Sequence, residues 1–139
     1  MTKEILEDPY SCCSCGPIDR EYLRINYLDV GFRELLIEVL EIFQQQAGEY
    51  LSILQQAIDS EDINILAEEA HTIKGSAGSV GACELANRAK AIELAAKAGE
   101  YERAKVLFSE LPEILIRTEI AITAELYYLQ SIDELQDLL

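Results

Sequence analysis

The chain contains a single histidine, His71, set in the run Ala70-His71-Thr72-Ile73-Lys74-Gly75-Ser76-Ala77-Gly78-Ser79-Val80-Gly81. An exposed imidazole is largely neutral near pH 7 and keeps one ring-nitrogen lone pair, so it can act as a nucleophile without help from a base. Leu66, Ala70, Ile73, Ala77 and Val80 form an apolar stripe at steps of three and four. At about 100° per residue, His71 lies roughly 130° from the centre of that stripe and should face water. Its neighbours on the helical surface, three, four and seven residues away, are Ala67, Glu68, Lys74, Gly75 and Gly78. Each glycine costs a helix interior about 1 kcal/mol relative to alanine, and neither lies where it could help the core. Bare backbone beside the imidazole would let a bulky partner bring a phosphorus atom to bonding distance, with the Lys74 ammonium beside the anionic group. The plainer reading is a surface histidine near a glycine-rich helix end. Charge favours the chemical one: residues 74 to 105 hold six basic and four acidic side chains, whereas the chain as a whole carries -15.

Other chemistries fit less well. Gly75, Gly78 and Gly81 recur every third residue, but a phosphate-binding loop needs its lysine and hydroxyl after the last glycine, and a dinucleotide fingerprint needs a preceding strand. A hydrolytic triad needs a histidine backed by a buried carboxylate, and nothing in the pattern supplies one. With one histidine there is no His-based zinc site, so no metal ligand is assigned. Cys12, Cys13 and Cys15 cluster near the start of the chain and Cys83 stands apart. This is neither the spaced framework of a secreted disulfide scaffold nor the paired spacing of structural zinc, and it reads as reduced thiols in a loose or locally redox-active lead-in, the alternative being a soft-metal site with Cys83 as the fourth ligand.

These side chains need helices to hold them. Residues 1–17 show no sustained period and read as an irregular, cysteine-containing segment, leaving 18–139 as one domain. Asp19 can cap a short helix through Tyr22, Leu23 and Ile25 to about Leu28. From Phe32 to Ile58, Leu36, Leu40, Phe43, Ala47, Tyr50 and Leu54 predict a long helix with one buried face. Asp59 or Ser60 should cap the next helix, with Glu61 and Asp62 in its first turn, and Gly81 should close it. A further helix carries Leu85, Ala89, Ile92 and Ala96 inward and stops at Gly99. The last pattern runs on to Leu129, and Pro112 must kink it or split it in two. No segment alternates as a strand does. The expected fold is all-α, an antiparallel four-helix bundle with an additional short N-terminal helix.

The 139 residues suffice for one hydrophobic core. Eleven basic against 26 acidic residues disfavour nucleic acid as a partner. No apolar run is long enough to span a membrane and no signal peptide is visible, so a cytoplasmic location is expected.

Residues 70 to 77 with Gly78, Gly81-Ala82 and Leu85 resemble the signature of histidine phosphotransfer (HPt) domains. The resemblance extends to Ile18-Asp19, the Leu-rich second helix with Phe43, Asp62, and Ile92-Glu93, and covers roughly residues 18 to 129. It implies a bundle whose exposed histidine takes a phosphoryl group from an aspartyl phosphate on one receiver domain and passes it to another. Carried over to this chain, His71 is the phosphoacceptor, Lys74 the charge partner and Gly75 the clearance residue. Ala67, Glu68 and Gly78 would lie at the docking surface. The resemblance also implies response-regulator receivers and a hybrid sensor histidine kinase as partners, Mg²⁺ on the receiver, no cofactor on this chain and no autonomous kinase activity; nothing in the sequence demands a dimer, and a monomer is expected. The alternative is a non-catalytic helical adaptor that retains the bundle. The Cys-bearing lead and Pro112 depart from the family pattern.

Overall fold

The computed structural model describes residues 16–138, with side chains described through residue 132. Expectations for Cys12, Cys13 and Cys15 lie outside the described residues. Helix α1, Arg20–Leu23, continues through a π-helical turn, Arg24–Leu28. It is followed by α2 (Arg33–Asp59), α3 (Ile63–Ser79), α4 (Cys83–Lys97), α5 (Tyr101–Ser109) and α6 (Leu111–Leu138). Among the described residues every regular element is helical.

Helices α2, α3, α4 and α6 form the antiparallel bundle, each packing on the next and α6 closing back onto α2. Gln44 donates to Thr123 Oγ1 at 2.7 Å while Arg33, eleven residues earlier, donates to the Leu129 carbonyl, so α2 and α6 run in opposite directions. The core follows the faces the periodicities predict: Leu36, Leu40, Phe43 and Leu54 from α2, Leu66 and Ile73 from α3, Leu85 and Ile92 from α4, and Leu129 from α6 are all buried, while Ile122 fills the α6 face in place of the expected Ala121, which is half-buried.

Helix ends follow from local chemistry. The Asp19 carboxylate accepts from the Tyr22 amide at 3.0 Å and caps α1. Asp62, rather than Asp59 or Ser60, caps α3 by accepting from the Ile65 amide at 3.1 Å. Glu61 therefore precedes the helix, at φ 55°, instead of sitting in its first turn. Ser60 turns back on α2 instead, its hydroxyl donating to the Gln56 carbonyl at 2.9 Å. Pro112 splits the final pattern: α5 ends at Ser109 and the proline occupies the first turn of α6, where a missing N–H leaves no bond unmade.

Gly81 positions the site helix relative to what precedes it. Its φ is 70°, and a Cβ there would meet Asp19 O, Leu23 Cδ2 and Tyr22 Cδ1, each at 3.3 Å. The Gly81 carbonyl accepts from the Asp19 amide at 2.8 Å, and Tyr27 Oη donates to the Ser79 carbonyl at 2.7 Å. The first helix is thereby fastened to the turn between α3 and α4.

Candidate functional site

His71 lies at mid-length of α3, and its side chain is 63% exposed. Its Nδ1 stands 2.9 Å from Oε2 of Glu93, a residue of α4 whose side chain is only 4% exposed. Two cations meet the same carboxylate: Lys97 Nζ lies 2.7 Å from Oε2 and Lys74 Nζ 3.2 Å from Oε1. Burial pushes the Glu93 carboxyl up, but hydrogen bonds from Lys97, Lys74 and His71, together with the Lys74 charge, outweigh it and hold the group at about 2.

The tautomer follows. A carboxylate ionised at neutral pH only accepts, so Nδ1 carries a proton, and in the neutral form of the ring the lone pair lies on Nε2. One carboxylate against two ammonium groups leaves a surplus positive charge beside the ring. That field favours an incoming dianion.

The structure brings His71 and Lys74 together, one helical turn apart and joined through Glu93. Gly75 is exposed, and a Cβ built on Gly75 or on Gly78 meets nothing within 4 Å. Packing within the chain requires neither glycine. Glu68 is exposed, and its main-chain carbonyl accepts from Thr72 Oγ1 at 3.2 Å. Ala67 departs from the surface position read for it: it is 8% exposed and belongs to the core. It lies on the flank of His71 nearer the apolar stripe, and a methyl group there is covered by packing.

Glu93 is the residue that sequence reasoning missed as a site member. The signal was present, since Glu93 sits among Leu85, Ala89, Ile92 and Ala96 on the inward face of α4, where an unpaired carboxylate would be costly. Lys97, one turn further along α4, adds a second ammonium to the same carboxylate. The spacing around His71 offers no evidence of a buried carboxylate behind the histidine, and the packing of α4 against α3 supplies one.

Comparison with known proteins adds the following. The Hpt domain family model matches residues 38–137, which includes His71, Lys74, Glu93 and Lys97. The phosphorelay protein LuxU of Vibrio harveyi is 35% identical over 77 residues, covering 55% of this chain and 68% of that protein. The aerobic respiration control sensor protein ArcB of Escherichia coli K12 is 36% identical over 55 residues, covering 40% of this chain. The similarity to ArcB spans 7% of that sensor. No solved structure matches.

Proposed function

The chain belongs to the Hpt domain family, and from that premise we propose that it carries a phosphoryl group between the aspartates of receiver domains, through phosphohistidine at His71. The observation that carries this reading is the solvent-facing imidazole tied by Nδ1 to the ionised, buried Glu93. Nε2 attacks the phosphorus of a receiver's aspartyl phosphate; the N–P bond forms as the acyl O–P bond breaks, and the aspartate leaves as carboxylate. No proton has to move. The ring becomes cationic on phosphorylation, and its Nδ1–H remains on the Glu93 carboxylate, which stabilises that charge. Reversal against a second receiver completes the relay.

Phosphoryl transfer needs mainly positioning and charge neutralisation. This chain supplies the nucleophile, the Lys74 and Lys97 ammonium groups, and the bare flank at Gly75 and Gly78 that a receiver can approach. The receiver brings the aspartyl phosphate and Mg²⁺, and a hybrid sensor histidine kinase supplies the phosphoryl group upstream. In this reading the chain acts as a carrier of the phosphoryl group. Glu68, at the rim of the bare flank, would meet the receiver surface. The similarity to a phosphorelay protein and to a sensor protein supports this assignment.

The test is direct. Mixed with phosphorylated receiver domains, the wild-type protein acquires base-stable label that maps to His71. His71→Gln folds with unchanged helicity, because its side chain is exposed, and takes up none. Label persisting in that variant would assign the chemistry elsewhere.

A further inference from the structure

Beside the site stands one apolar side chain that neither the core nor the transfer step uses. Leu94 follows Glu93 on α4 and is 43% exposed, whereas Ile92 and Ala96 on the same helix are buried. At about 100° per residue, Leu94 lies one step round α4 from Glu93, on the side away from Ile92. Glu93 points into α3, where it meets His71 and Lys74, so Leu94 faces solvent on the outer rim of the same site. Its neighbours on the helical surface divide into two pairs. Lys90 and Lys97, four residues before it and three after, lie between it and α3, while Ala91 and Ala98 lie on its far side and are too short to cover it. Lys97 keeps 59% of its side chain exposed while it holds Glu93, so its ammonium stays open to a second anion. A single exposed leucine is ordinary on a protein surface. This one is set apart by its place, continuous with the His71 site and bordered by two cations on a chain that carries -15.

The chemistry of a receiver fits that border. Its reacting aspartate works with Mg²⁺, a hard cation held by oxygen ligands and by carboxylates above all, so the mouth of its pocket is acidic. A strongly acidic protein repels such a surface over most of its area and attracts it where cations gather, and Lys74, Lys90 and Lys97 gather along the α3–α4 side of His71. Resting on the phosphoryl-transfer reading, we propose that Leu94 anchors a docking receiver domain on the α4 side of His71, its side chain buried among apolar groups of the receiver while Lys90 and Lys97 meet carboxylates at the mouth of the aspartate pocket. Leu94 touches none of the reacting atoms. It selects among receivers, because one that sets a carboxylate or amide against the isobutyl group loses hydration there without a hydrogen bond in return.

The probe is the phosphorylated receiver domain that labels wild-type His71 fastest, with uptake followed against receiver concentration in single turnovers. Leu94→Ala should raise the half-saturating concentration about tenfold and leave the limiting rate within about twofold. Leu94→Met, which keeps an apolar side chain of similar volume, should behave as wild type. Lys90→Gln should raise the half-saturating concentration severalfold at low salt and much less at about 0.5 M sodium chloride. Phosphoramidate, a phosphoryl donor too small to dock, should label His71 in Leu94→Ala as fast as in wild type. Ile120 is 66% exposed on the outer face of α6, and Ile120→Ala should match wild type throughout. The proposal is overturned if Leu94→Ala saturates at the wild-type concentration, if its limiting rate or its labelling by phosphoramidate falls instead, or if Ile120→Ala weakens uptake equally. Were the relay assignment itself wrong, no receiver would label wild-type His71 at all, and the anchor would fall with it; a loss confined to these comparisons leaves the relay standing.

Discussion

Glu93 decides which nitrogen of His71 reacts. A lone imidazole in water exchanges between tautomers, and only the form with its lone pair on Nε2 presents a nucleophile away from the helix it stands on. The carboxylate at 2.9 Å from Nδ1 selects that form and supports the ring once it is charged. Glu93→Ala should let both tautomers populate, visible in the ¹⁵N shifts of the ring, and should slow phosphoryl uptake at least about tenfold. His71 would still be exposed in that variant, so an unchanged tautomer ratio with wild-type transfer would remove Glu93 from the mechanism. The same substitution releases Lys74 and Lys97 from their shared partner.

Helix α3 and the turn that follows it carry two kinds of glycine that look alike in the sequence and act differently in the fold. Gly81 closes the helix in a left-handed conformation against α1, and any side chain there is strained by its φ of 70° as well as by three contacts at 3.3 Å. Gly75 stands in open space. Gly81→Ala should therefore lower stability by about 1–2 kcal/mol, read as a drop in Tm. Gly75→Leu should leave the helix intact or raise its stability by up to about 1 kcal/mol, and should nonetheless cut phosphoryl uptake by an order of magnitude or more through overlap with the docking receiver. Wild-type transfer by Gly75→Leu would contradict the clearance role. Helix α6 shows a related split between inner and outer faces: Ile122 and Leu129 are buried, whereas Ile116, Ile120 and Tyr127 on the opposite side are exposed.

At the scale of the whole molecule, acid weakens the same network that organises the site. The Glu93 carboxyl is held at about 2, below its ordinary 4.5, so its contribution to stability is complete above pH 4.5 and is lost as pH falls through about 2. A shift of that size corresponds to about 3 kcal/mol. The stability difference between wild type and Glu93→Gln, measured by urea unfolding, should be largest near neutral pH and shrink steadily from pH 4.5 to 2. The difference isolates Glu93 from the many exposed carboxylates that titrate in the same range. A gap that stays constant across the range would show that Glu93 gains nothing from being ionised. Globally the chain carries -15, while Lys74 and Lys97 put the opposite sign beside His71.

Periodicity alone determined the main helices, the inward faces of α2, α3 and α4, the outward direction of His71 and an interruption at Pro112, because each depends on spacing along one helix or on a single residue's backbone chemistry; the bundle decided that Pro112 splits the pattern rather than kinks it and that Ile122 rather than Ala121 faces inward. Asp19 as a cap and Gly81 and Gly99 as terminators were legible for the same reason. The packing of α4 on α3 decided what spacing could not: that a carboxylate 22 residues downstream supports the histidine, that Lys74 and Lys97 converge on it, and that Ala67 is covered. Contacts between helices depend on which faces meet and at what height. A linear pattern specifies the faces, and only the assembled bundle sets the height.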